Sequence, residues 1–160
     1  MAVDMFLKMD PVKGESQDSA HKEEIDVLAW SWGASNSGTT HLGAGGGEGK
    51  ANVQDLSVTK WADKASADLL KGCILGTHFN EAKLVCRKAG GSALEYITIT
   101  MNEVLVTSIS AGGSGGEDRL TENVTLNFGK VKFEYKEQKA DGTAGPTSSY
   151  CRNIAANEDC

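Results

Sequence analysis

Proline is almost missing from this chain, with 2 in 160 residues. Polyproline architecture is therefore excluded, and little interrupts regular hydrogen bonding along most of the sequence. Long apolar runs are missing too. None approaches the roughly 20 residues of a membrane-spanning helix, and the charges of Asp4 and Lys8 break up the apolar opening Met1 to Lys8. Neither a secretory leader nor membrane insertion is expected. A basic excess is also lacking: 16 Lys and Arg face 22 Asp and Glu, for a formal charge of -6 and a pI near 5.1. The lysines are scattered among acids, whereas phosphate binding needs a basic patch, so nucleic acid is not an expected partner. Cysteines number 4, and Cys73, Cys86, Cys151 and Cys160 form no CxxC or other metal spacing. Free thiols in a reducing cytoplasm are the expectation.

Against these shortages stand 39% apolar residues and 19 glycines without a triplet repeat. One domain spanning residues 1–160 is predicted. At this length a chain buries roughly 70% of the surface its unfolded form exposes, enough for a core without staples.

The dominant periodicity is two, the pattern of strands with one buried face. Along Ile25 to Trp32, the larger Leu28, Trp30 and Trp32 are assigned to the core, and the smaller Val27, Ala29 and Ser31 to the other face. Gln54, Leu56, Val58 and Lys60 share a parity, as do Ala82, Leu84 and Cys86, then Ile97, Ile99 and Met101. Further on, the apolar parity reverses from Val124, Leu126 and Phe128 to Val131, Phe133 and Tyr135. A glycine, Gly129, sits at the reversal, which predicts a β-bulge that bends the strand as a small barrel or orthogonal sandwich requires. One helix is predicted, Ala65 to Leu75. Ser66 is its expected N-cap, Leu69, Leu70, Cys73 and Ile74 its apolar stripe, and Gly76 its stop.

Seven glycines fall between Gly33 and Gly49, a long loop of the kind that usually carries a function. A phosphate loop would need glycine at Ala44 and Ser or Thr at Ala51, and a strand pattern follows in place of a helix. His21, His41 and His78 are too far apart for a metal motif, and Cys73 lies on the predicted helix stripe. Asn123-Val124-Thr125 reads as strand despite its glycosylation pattern. No catalytic residue, cofactor site or metal site is predicted.

Several segments resemble the Hcp (haemolysin-coregulated protein) family: Met1 to Lys8, Val12 to Ser16, His21 to Gly33, Lys88 to Gly91, and the specific block Gly112 to Leu126. The likeness runs from residue 1 to about 142, while the tail, with Arg152 and Cys160, departs from it. What the resemblance implies is a mainly β fold: a small β-barrel of antiparallel strands with one short α-helix and a long extended loop. It implies a non-enzymatic tube subunit of the type VI secretion system. Six copies would close into a ring, and the rings would stack inside a contractile sheath behind a VgrG spike, carrying small effector proteins in the lumen. The protein would be cytoplasmic before assembly and secreted on firing. Val27, Ala29 and Ser31 are then expected to face the lumen, and Asn36, Ser37, His41, Gly45 and Lys50 to reach the next ring. The alternative is a monomeric β-barrel module whose glycine-rich loop closes over a small ligand.

Overall fold

The structure is a computed structural model that describes residues 3–38, 51–88 and 93–160. In chain order it contains β1 (Val3–Lys8), β2 (Ile25–Ser31), β3 (Ala34–Asn36), β4 (Ala51–Val53), β5 (Leu56–Trp61), α1 (Ser66–Leu75), β6 (His78–Lys88), β7 (Leu94–Gly112), β8 (Thr121–Gln138), β9 (Ala144–Asn153) and β10 (Glu158–Asp159). All pairings are antiparallel. The order β8-β5-β2-β1-β6-β7 closes on itself through a β7–β8 ladder, which makes a barrel of six strands. Beyond the stretch of β8 that pairs with β5, the same side of β8 pairs with β9, and β10 covers β9. The barrel expected from the resemblance is present, and closure removes the free edges an open sheet would leave.

Inside lie Leu7, Ile25, Leu56, Leu84, Ile99 and Leu126, all with no exposed area. Each comes from a different strand, so the alternating residues of all six strands fill one interior. Helix α1 covers an end of it, turning Leu69 and Gly72 inward and packing Cys73 against the core. Gly72 is there because Phe79 lies against the helix: an added Cβ would stand 3.1 Å from its ring. The apolar stripe is narrower than expected, since Leu70 and Ile74 are 49% and 72% exposed. Gly76 ends the helix in the left-handed conformation, as its sequence position implies. Ser66 is not the N-cap. Ala65 occupies that position, and the Ser66 hydroxyl instead accepts the Asp63 N–H and reaches Glu122 at 2.5 Å.

Two strand expectations are corrected. In β2 the pairing with β5 slips between Val27 and Ala29, so Leu28 is an extra residue. The slip reverses the parity. Val27 stays in the core at 6% exposure, Leu28 turns outward, and Trp30 and Trp32 pack against the core. In β8 the parity does reverse around Gly129, but without a slip in the β7–β8 register, which runs unbroken from Ile97↔Tyr135 to Val106↔Leu126. Both strands reverse together. Glu103, beside Gly129, has a positive φ of 55°, and in β7 the buried set changes there from Ile99 and Met101 to Val104 and Val106. The backbone irregularity therefore belongs to Glu103, and the slip lies further on, between Val106 and Ser108.

Lys60 has no exposed area. Its parity with Leu56 and Val58 carries it inside, where its ammonium meets Glu122 and lies 2.9 Å from the Asp63 carboxylate. Ser66 completes the group, which ties β5, β8 and the start of α1 together. A buried ion cluster of this kind contributes by being satisfied: removing one partner strands the others in low dielectric.

Candidate functional surface

The outward side of β2, β5, β8 and β7 is built from short side chains in register. Ser31 pairs with Ser57, Ser57 with Thr125, and Thr125 with Ser108, which makes one row across four adjacent strands. A second row beside it runs Ala29, Thr59, Asn123 and Ser110. Their hydroxyls and amides bond to one another. Thr59 donates to the Asn123 side chain at 2.7 Å, and Thr125 lies 2.6 Å from the Ser108 hydroxyl and 2.7 Å from that of Thr107. At the rim, Asp55 accepts from Thr107 at 2.8 Å and from Asn127 at 2.9 Å. Side chains that satisfy each other along the sheet leave a level, uncharged polar wall.

Three predicted lumen residues are thus divided. Ala29 and Ser31 stand at the β2 ends of these rows, whereas Val27 is excluded because the β2 bulge leaves it in the core. Sequence reading found the β2 end of the wall and missed its other six members. Their signal was present, in the serines, threonines and asparagine that alternate with buried apolar residues in β5, β7 and β8.

The base of the glycine-rich segment has a defined geometry. β3 and β4 pair as Ala34↔Val53, Ser35↔Asn52 and Asn36↔Ala51, a separate two-stranded ladder that projects from the barrel. Trp32 anchors it: its indole N–H donates to the Gln54 carbonyl at 2.9 Å, and its ring stacks on Phe133. The Gln54 N–H in turn donates to the Gly33 carbonyl. Asn36 and Ser37 lie on this exposed arm, the Asn36 side chain accepting the Gly38 N–H. His41, Gly45 and Lys50 lie outside the described residues. The start of the predicted loop is therefore strand.

Elsewhere the charges are tied internally. Arg87 bridges Asp4 and Asp18 and lies over the Phe6 ring, against whose face His21 stacks. The Arg87 guanidinium holds the Asp18 carboxyl down at about 2. His21 contacts Glu24 and Glu95 through its two ring nitrogens. Among the described residues, no cluster of His, Cys, Asp and Glu suits a metal ion, and no helix is long and apolar enough to cross a membrane. The cysteines divide: Cys73 and Cys86 are free, while Cys151 and Cys160, whose pairing the sequence leaves open, are joined in a disulfide. The β9–β10 hairpin brings the first pair within 5.2 Å at Cα, a proximity that sequence separation does not reveal.

Residues 6–135 match the family described as "Type VI secretion system effector, Hcp". The chain is 61% identical to "Protein hcp1" of Pseudomonas aeruginosa over 160 residues, covering 98% of each. It superimposes on a structure described as a type six secretion system protein with a TM-score of 0.93 at 33% identity, covering 99% of this chain and all of that one. The crystal structure of Hcp1 from Salmonella typhimurium gives 0.81 at 37% identity, with full coverage of both.

Proposed function

The chain belongs to the Hcp family of type VI secretion proteins, and from that premise we propose that it is a tube subunit that also carries effector proteins. Six copies close into a ring by a head-to-tail contact, which needs two different complementary surfaces on each copy. The observation that carries this reading is the pair of polar rows across β2, β5, β8 and β7. A ring lumen must hold folded cargo and release it. Short, mutually bonded hydroxyls offer contact without deep pockets or long charged side chains, and so favour loose retention over tight binding. Ala29 and Ser31 lie on that lumen face.

The β3–β4 arm, together with His41, Gly45 and Lys50 of the glycine-rich segment, engages the next ring in the stack. The spike protein VgrG at the tip of the tube and a contractile sheath around it are the further partners. The role is structural, with no reaction catalysed. The subunit is held in the cytoplasm until firing delivers it outside.

Light scattering coupled to size exclusion, with negative-stain imaging, tests the ring. Particles of several times 16.9 kDa with an open centre are expected. Elution as a single copy would instead favour a monomeric ligand-binding module.

A further inference from the structure

One chemical feature stands apart from the core, the disulfide between Cys151 and Cys160. It lies outside the barrel. The six-stranded ring of strands closes through β7 and β8 without β9 or β10. What the bond holds is β10, a strand of two residues attached to β9 by two ladder pairs, Glu158↔Asn153 and Asp159↔Arg152. The Cys160 N–H also donates to the Cys151 carbonyl, and the side-chain ties of β10 are polar and exposed: Tyr150 and Arg152 both donate to Asp159, and Arg152 also donates to Asn157. Such a short, solvated attachment opens readily unless it is covalently closed.

The two cysteines are also accessible. Cys160 is exposed, Cys151 is half-buried, and both line an open cleft with Lys130, Lys132, Glu134 and Tyr150. The contrast with Cys86 is sharp. That thiol is buried within β6, and burial pushes its pKa up, which leaves it inert as a nucleophile. One chain thus holds a protected thiol in the wall and a paired, reachable one on its outermost strand.

We propose that Cys151 and Cys160 form a redox-operated clasp on the C-terminal hairpin, open as a dithiol in a reducing compartment and closed by a thiol–disulfide oxidant outside it. The biological setting rests on the secretion reading above, but the chemistry does not. In the closing step the exposed Cys160 thiolate attacks a sulfur of the oxidant, forming a mixed disulfide and releasing one thiolate of the oxidant. The Cys151 thiolate then attacks the Cys160 sulfur, forming the protein disulfide and expelling the second thiolate. Two electrons pass from the cysteines to the oxidant, and the two protons lost by the cysteine thiols appear on the released thiols. Closure fixes β10 over the end of β9 and sets the shape of the cleft beside Lys130 and Lys132. Opening frees that end of the sheet.

The full chain, in whatever oligomeric state it adopts, is equilibrated with mixtures of reduced and oxidised glutathione. Thiols are then counted by alkylation under denaturing conditions, and the native protein is challenged briefly with trypsin at Arg152. Under oxidising mixtures two alkylated thiols are expected, and under reducing mixtures four, with the exchange reversible. Cleavage at Arg152 should be at least about tenfold faster in the reduced form, while the unfolding temperature of the barrel moves little. The C151S/C160S variant should be cut at the reduced rate in every mixture. Four thiols after oxidation would overturn the proposal, and so would a bond that survives excess reduced glutathione in the native protein, or equal cleavage rates in the two forms. Ring assembly is scored separately by light scattering, so a failed ring and a failed clasp give distinct results.

Discussion

Strands β7 and β8 form one continuous ladder, yet its two halves present different surfaces. Where β8 is flanked by β5, the outward residues are Thr107, Ser108, Ser110, Asn123 and Thr125. Where it is flanked by β9, they are Thr98, Thr100, Lys130, Lys132 and Glu134. The first half belongs to the closed barrel and is backed by the buried Lys60 cluster; the second supports a hairpin held by exposed bonds and a disulfide. The boundary is the paired reversal at Glu103 and Gly129. A single strand pair thereby carries the polar wall on one half and the disulfide-bearing hairpin on the other. The flanking strand and the outward side chains of β8 change together at that boundary.

The strongest way to break this contrast is to remove the cation from the barrel half. Lys60→Met leaves Glu122 and Asp63 buried without their partner, and a loss of about 3–5 kcal/mol is expected, or a fall in Tm on the order of 10 °C. The exposed Lys132→Met in the other half should change stability by less than about 0.5 kcal/mol. Equal Tm values for the two variants, read by differential scanning calorimetry, would erase the distinction.

Next in size is the boundary itself. A β-branched residue tolerates positive φ poorly, so Glu103→Val should cost about 1–3 kcal/mol in urea unfolding. Gly129→Ala should cost less, because its new methyl would meet only the Glu103 side chain, whose carboxylate can move aside. The reverse order would return the irregularity to β8.

A third test compares the two outward faces. If the smooth half lines a ring lumen as proposed, Ser31→Gln raises a long side chain from it and should lower the amount of effector that co-purifies, leaving ring size unchanged. Lys132→Gln in the other half should leave effector retention as it was. Retention that is equal in the two variants would remove the functional contrast.

The smallest effect concerns acid. The Tyr150 hydroxyl, and after it the Arg152 guanidinium, lower the pKa of Asp159 below the usual carboxylate value. A depressed carboxyl stabilises the folded form above its unfolded pKa and loses that contribution as pH falls through the folded one. The β10 attachment should therefore loosen below about pH 4, ahead of the barrel. Faster amide exchange at Asp159 and Cys160, with no change at Leu126, is the expected signature.

Much of this architecture was legible in the alternation of the sequence, because a residue's face follows from its parity wherever a strand is regular. Leu56 and Val58, Ile99 and Leu126 keep the shared parities the sequence shows and lie inside the barrel, and Gly76 stops the helix as a left-handed residue should. Parity fails at an insertion. Nothing local distinguishes Leu28 as the extra residue of β2, so Val27 was placed on the wrong face. Lys60 shares the parity of Leu56 and Val58, but its partner Glu122 lies 62 residues away, and only the β5–β8 register joins them. The polar wall was partly visible for the same reason: Ser31 could be read from its own strand, whereas Ser57, Thr125 and Ser108 become its neighbours only when the barrel closes. Compartment statistics favour free thiols and leave the state of Cys151 and Cys160 open, because they say nothing of a hairpin that brings the two together.

Barrel closure also governs how copies of this protein can join. A closed circuit of strands has spent its backbone hydrogen bonds on itself, so around most of the girth one subunit meets another through side chains alone. Backbone-to-backbone joining is left to stretches without a ladder neighbour, among them the β3–β4 arm, the outer margin of the β9–β10 hairpin, and the parts of β1 and β2 beyond their two shared pairs. Lateral contacts between barrels can therefore slide and adapt in sequence, while contacts made through the arm or the hairpin are held to the fixed spacing of a strand ladder.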